Sequence, residues 1–147
     1  MTTALSGAEL ARRIHDQLPG AVEDVQGNAV WVSPDQVPQV CRWLAEAPGL
    51  EFNYLSSITG VDYIEYFEVV YHLTSLVQNH SAVLKTRVYG RDNPTIPSVT
   101  GIWRGANFQE REVWDLVGIR FAGHPNLKRI MLWEGFPGHP LRRDFLG

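Results

Sequence analysis

One cysteine, Cys41, stands among 147 residues. That scarcity excludes an internal disulfide and any iron–sulfur cluster held by this chain alone, because the first needs two thiols and the second several thiolates. It also suits a reducing compartment. No apolar run approaches the roughly 20 residues that cross a bilayer, so direct membrane insertion is not expected. The first residues, Met1 to Leu5, lack the basic stretch of a secretory leader, and secretion by that route is not expected either. Walker loops, Gly-rich dinucleotide fingerprints, nucleophile elbows, HExxH and paired CxxC motifs are all missing, which leaves catalysis by this chain without support. A surplus of positive charge is missing as well: the net charge is −3, and nucleic acid is not an expected partner. With 44% hydrophobic and 20% charged residues and no low-complexity tract, the chain has the make-up of one globular domain.

What is present is unevenly spread. Residues 1 to 119 hold 8 Lys and Arg against 14 Asp and Glu, a net −6, whereas residues 120 to 147 hold 5 against 2, a net +3. The division predicts an α+β globular body over 1–119 and an irregular basic C-terminal arm of the same domain over 120–147. Such an arm suits an acidic protein surface, a phosphate or an anionic headgroup.

Local signals order the body. Ser6 and Glu9 form a capping box ahead of Leu10, Ile14 and Leu18, so a helix is predicted up to Pro19-Gly20. Ala21 to Ser33 reads as a hairpin turning at Gly27-Asn28. Ser33 as cap, Pro34 and Gln36 start a second helix whose apolar stripe is Val37, Val40, Cys41 and Leu44; on that stripe Cys41 is a buried hydrophobe. Stretches 52–62, 66–78 and 82–89 are rich in β-branched and aromatic residues and predict an antiparallel sheet with helices on one face, His72 lying on the wetter side. Arg91 to Pro97, with two prolines, is expected to be a stiff loop rather than regular structure. Ser98 to Trp103 reads as a helical turn, and Asn107 as the cap of a helix over Phe108 to Val117 in which Arg111 and Asp115 pair one turn apart. Two turns follow, Gly123-His124-Pro125 and Gly138-His139-Pro140, with 127–133 between them either helical or extended.

Metal binding would draw on His124, His139 and the nearby acids, but their spacing matches no zinc pattern, and each histidine is expected to bond a backbone or carboxylate group in its turn. Glu110 and Glu112 lie two apart on a helix and do not converge for acid–base work. What remains is an interface. Phe121, Trp133 and Phe136 are expected to anchor the arm, while Arg129, Arg142 and Arg143 pair with a partner's carboxylates. The candidate interface residues are Glu110, Arg111, Glu112, Trp114, Asp115, Phe121, His124, Pro125, Arg129, Trp133, Phe136, His139, Pro140, Arg142, Arg143 and Asp144. For Trp103, Trp114 and Trp133 core filling is the favoured reading.

The run Glu110 to Ile119, followed by Gly123-His124-Pro125, Lys128-Arg129 and Gly138 to Phe145, resembles the signature of the 30-kilodalton (C) subunit family of respiratory complex I, NADH:quinone oxidoreductase. Phe52 to Leu55, Gly60 to Asp62, Arg91 to Pro94 and Pro97 to Val99 fit the same family. The resemblance implies a non-catalytic α+β subunit of the peripheral arm, seated beside the 49-kilodalton (D) subunit among other complex I subunits. It implies that FMN and iron–sulfur clusters belong to partner subunits, that this chain binds no cofactor, and that it is a peripheral membrane protein on the cytoplasmic side. The alternatives are the equivalent subunit of a membrane-bound hydrogenase or a ferredoxin- or F420-linked quinone oxidoreductase, and, from another class, a free-standing metal-dependent hydrolase using His124, His139 and Glu112.

Overall fold

The computed structural model describes residues 2–133 and 135–145. After a two-residue strand β1 (Thr3–Ala4), helix α1 (Gly7–Gln17) opens where the capping signal lies, with Ser6 Oγ accepting the Glu9 N–H at 3.2 Å. Leu10 and Ile14 from this helix are fully buried. Strands β2 (Val22–Gln26) and β3 (Ala29–Val32) form the expected antiparallel hairpin. The second helix departs from expectation at its start: Pro34–Gln36 is a 3-10 turn, Ser33 makes no side-chain cap bond, and α2 (Val37–Glu46) begins after it. A second proline, Pro38, explains the delay, because its missing N–H and fixed φ suit the first turn of an α-helix.

Three nine-residue strands, β4 (Tyr54–Asp62), β5 (Phe67–Ser75) and β6 (His80–Val88), pair antiparallel as expected. The sheet as a whole is mixed, since β3 and β1 both join β6 in parallel, giving the order β2-β3-β6-β5-β4 with β1 beside β6. A parallel join needs a crossover, and no strand pattern announces which strand the hairpin will meet. Phe67, Val69, Tyr71 and Leu73 of β5 point into one core with residues of all the helices. Cys41 lies in that core, fully buried, and burial pushes its thiol well above the ordinary range. On the opposite face His72 is exposed, while Trp31 is covered by Lys85 and Arg87, whose cationic heads lie 4.8 and 4.9 Å from its ring.

Residues 95–97 correct the sequence reading: Thr95–Pro97 is a strand, β7, paired in parallel with β8 (Arg120–Ala122). The flanking bonds run from Arg120 N–H to the Pro94 carbonyl and from Ser98 N–H to the Ala122 carbonyl, both 2.8 Å, so neither proline's missing donor is needed. A two-stranded ribbon tolerates proline on such terms. Ile96 and Phe121, opposite each other in the register, then enter the core.

Candidate interface: a basic arm strapped to a helix

Helix α3 (Ala106–Val117) carries the site. Gly105, not Asn107, is its N-cap, and Gly118 closes it in the left-handed conformation with φ 84°. A β-carbon on Gly118 would fall 2.6 Å from His139 Cδ2, so both its backbone and its bareness are required by what packs there. Past Phe121, which is buried, the arm folds back along the helix with no further helix or strand among the described residues.

Asp115 is where the arm is held. Its carboxylate is fully buried, and Oδ1 accepts from Arg129 Nη1 at 2.8 Å, while Oδ2 accepts three successive backbone N–H groups, those of Ile130, Met131 and Leu132, at 3.1, 2.7 and 2.9 Å. Segment 127–133 is therefore neither helix nor strand; its backbone curls into a nest around one anion. Burial alone would raise this carboxyl, but the three N–H groups and the guanidinium outweigh it and hold it below the usual range. The expected Arg111–Asp115 pair does not form. Arg111 instead donates to the carbonyls of Lys128 and Arg129, at 3.0 and 3.1 Å, bracing the same nest from outside.

Each Gly-His-Pro turn docks its histidine on a helix carbonyl. His124 Nδ1 accepts the Asn126 N–H, which leaves Nε2 as the donor to the Asn107 carbonyl at 3.0 Å. His139 Nδ1 donates to the Asp115 carbonyl at 2.9 Å and its ring lies 4.9 Å from that of Trp114. Burial and the nearby Arg129 and Arg142 lower the His139 pKa despite that carbonyl. Since Asn107 and Asp115 are eight residues apart, the histidines meet the helix about 12 Å from one another. Among the described residues no cluster of three metal-ligating side chains occurs, and the hydrolase constellation is not assembled.

Arg142 and Arg129 are both engaged within the chain. Arg142 donates to the carbonyls of Val117 and Gly118, where the helix leaves acceptors unpaired, and to that of Arg91. With Arg129 on Asp115, both guanidiniums bond groups of their own chain. Arg143 keeps an exposed side chain, but its backbone N–H donates to Asp62 Oδ2 at 2.8 Å.

That last bond leads to a group the sequence reading did not assign to the site. Asp62, at the end of β4, accepts both Nη atoms of Arg91 at 2.8 and 2.7 Å, together with the N–H groups of Ile64 and Arg143. The Arg91 guanidinium, aided by those N–H groups, depresses the Asp62 carboxyl far below the ordinary range. Arg91 also reaches Asp144 at 3.1 Å, a solvent-exposed pair of small worth. Twenty-nine residues separate Asp62 from Arg91, so no local spacing marks the pair. Arg91 and Arg142 both lie against the Phe67 ring, at 4.8 and 5.0 Å.

Glu110 and Glu112 diverge as expected. Glu110 is buried, accepting from Ser98 Oγ at 2.6 Å and Val99 N–H at 2.8 Å, and burial pushes its carboxyl up to about 7 against those bonds. Between about pH 4.5 and 7 the folded chain holds a proton that the unfolded chain has released, so stability falls as pH rises through that window. Glu110→Gln is expected to abolish a decline of about 3 kcal/mol across it, read by urea unfolding at a series of pH values. An unchanged slope in the variant would refute the assignment.

Trp103 fills the core and donates Nε1–H to the Phe52 carbonyl at 3.0 Å, and Trp114 is half-buried beneath Arg120 and His139. Trp133 does not fill the core. It is 64% exposed, beside Met131 at 62%, with Phe136 half-buried against Arg129 and Phe145. Pro125 is exposed and Pro140 half-buried, each closing its turn.

The chain is an α+β domain whose charged motif fastens its own arm to a helix and leaves an aromatic patch facing outward. The family described as the respiratory-chain NADH dehydrogenase 30 Kd subunit matches residues 30–147. The NADH-quinone oxidoreductase C subunit 2 of Rhizobium etli is 52% identical over 117 residues, 78% of this chain and 62% of that protein. The NADH-quinone oxidoreductase C subunit of Roseiflexus sp. is 43% identical over 148 residues, covering 96% of this chain and 84% of that protein. Among solved structures, a chain of the membrane-bound sulfane sulfur reductase, an archaeal respiratory membrane complex, superposes with a TM-score of 0.73 at 30% identity, over 95% of this chain and 85% of that one. The trypsin-resistant fragment of Nqo5 gives a TM-score of 0.58 at 34% identity, over 80% and 99%. The chain belongs to the 30 Kd subunit family, and it spans under two thirds of the length of the Rhizobium etli relative. No described helix is long and apolar enough to cross a membrane.

Proposed function

We propose that this chain is a non-catalytic structural subunit of the peripheral arm of a proton-pumping NADH:quinone oxidoreductase. It sits beside the 49-kilodalton subunit on the cytoplasmic side of the membrane, and FMN and iron–sulfur clusters belong to its neighbours. The supporting observation is that the family motif fastens the arm to α3 and that this arm presents Trp133 and Met131 to solvent. Fixed, exposed aromatic and thioether side chains are the kind that anchor contacts between subunits. The interface then uses Trp133, Met131 and the side chain of Arg143, while Asp115, Arg129, Arg142 and the two histidines hold the surface in shape.

A tagged chain recovered from solubilised membranes is expected to bring down subunits that carry flavin and iron–sulfur clusters. With Trp133→Ala and Met131→Ala together, recovery should fall about tenfold while the thermal midpoint moves by no more than about 2 °C. Full recovery would remove this surface from the interface. The likeness to a chain of the archaeal reductase favours one second reading, the equivalent place in another membrane-bound respiratory complex. Cluster-bearing partners without an NADH-binding subunit would select it.

A further inference from the structure

The sheet ends on β4, nine residues long, and among the described residues no strand pairs with its outer side. An open edge of that length invites pairing with another chain, and proteins ordinarily blunt such edges with charge or proline. The opposite edge obeys: β2 carries Glu23 and Asp24 and packs beside α1. β4 has no charged residue before Asp62 and no proline; its protection is α3, packed alongside, and a register shift between Leu55 and Ser57, neither of which gives Gly60 a hydrogen-bond partner among the described residues.

Among its outward groups, one is covered by a side chain. The Gln109 side chain accepts the Ile58 N–H, which shows that Ile58 points its backbone away from β5. Antiparallel alternation then turns the N–H and C=O of Gly60 outward as well, and among the described residues no side chain bonds to either. Gly60 cannot be replaced to close the gap, because a β-carbon there would meet Val113 Cγ1 at 2.8 Å. Alongside lies a cleft of about 170 Å³, lined by Ile58, Thr59, Gly60, Leu116 and Leu141 among others. The Leu141 N–H bond to the Leu116 carbonyl, 2.7 Å, pins the arm as one wall. At the rim stands Glu112, exposed and in no ion pair among the described residues.

We propose that the β4 edge is a strand-docking site for an extended segment of a neighbouring subunit, one with an aliphatic side chain next to a lysine or arginine. Its backbone pairs with Gly60, its aliphatic side chain enters the cleft, and its cation meets Glu112. A second copy of this chain is the poorer occupant. Two-fold pairing of β4 with itself would bring both clefts, and both Glu112 carboxylates, onto one dyad.

The proposal rests on the subunit reading, and the test separates the two. Leu141 is replaced by p-benzoyl-phenylalanine in the assembled complex, which is irradiated, digested and sequenced. The expected product is a single cross-link to an extended peptide of a different subunit in which Leu, Ile or Val neighbours Lys or Arg. Glu112→Lys in the same background should cut its yield at least about fivefold without moving the thermal midpoint. Co-purification without a cross-link, a cross-link to a helical segment, or one to a second copy of this chain overturns the docking site alone. Failure of any subunit to co-purify overturns the subunit reading and this proposal with it.

Discussion

Asp115→Ala is expected to release the arm from α3 and to cost the fold about 3–5 kcal/mol, the range for breaking a buried ion pair by removing one partner. The loss falls on both sides of the bond. Arg129 would keep a nearly buried guanidinium without its counter-charge, and the N–H groups of Ile130, Met131 and Leu132 would lose their common acceptor. At about 2–4 °C per kcal/mol for a chain of this size, the thermal midpoint should drop by roughly 6–20 °C. Limited trypsin digestion gives the more specific readout, because Lys128 and Arg129 border the nest: cleavage there should accelerate at least about tenfold under native conditions. Asp115→Asn, which keeps an acceptor but no charge, should fall between the two. Cleavage no faster than in the parent chain would mean that the arm is held by something else.

Asp62→Asn is expected to remove about 2–4 kcal/mol at neutral pH and to flatten the acid side of the stability curve. Asp62 and Asp115 both have folded-state pKa values below the ordinary carboxylate value, so as pH falls toward and below about 4 the unfolded chain takes up protons that the folded one resists. Their contribution is thus fully present above that value and is lost on acidification. Glu110 works with the opposite sign between about pH 4.5 and 7. The parent chain should therefore be most stable near pH 5, with the Asp62 variant showing a shallower fall below it. Chemical unfolding from pH 2 to 8 measures both limbs, and an acid limb identical in parent and variant would contradict the role given to Asp62.

The parts of this architecture that could be read in advance are those determined within a few residues. The Ser6 cap, the stripe that buries Cys41 and the alternation that leaves His72 outside all follow from neighbours in sequence. Where the reading failed, a distant group outbid a near one. Arg111 is one turn from Asp115, yet Arg129 and three backbone amides surround that carboxylate more completely than one exposed side chain could. Pro94 and Pro97 argue against a strand until β8 arrives to use only the groups that they leave available. Arg142 is a C-terminal cap for a helix that ended 25 residues before it, and capping rules are blind at that range. The candidate interface likewise favours residues rich in binding chemistry, many of which the fold has already engaged.

The corner after β4 ties two distant stretches of the chain together. Ile64 sits at φ 74°, a conformation that a β-branched residue tolerates only at a cost of about 1–3 kcal/mol, and it is kept there by Asp62 on its N–H and Arg91 on its carbonyl. Those two groups also grip residues 143 and 144, so whatever peels that stretch away loosens the corner, and whatever rigidifies the corner tightens the grip by an equal free energy. Tyr63 and Tyr66, with ring centres 5.5 Å apart, flank that corner, some eighty positions before the stretch it holds.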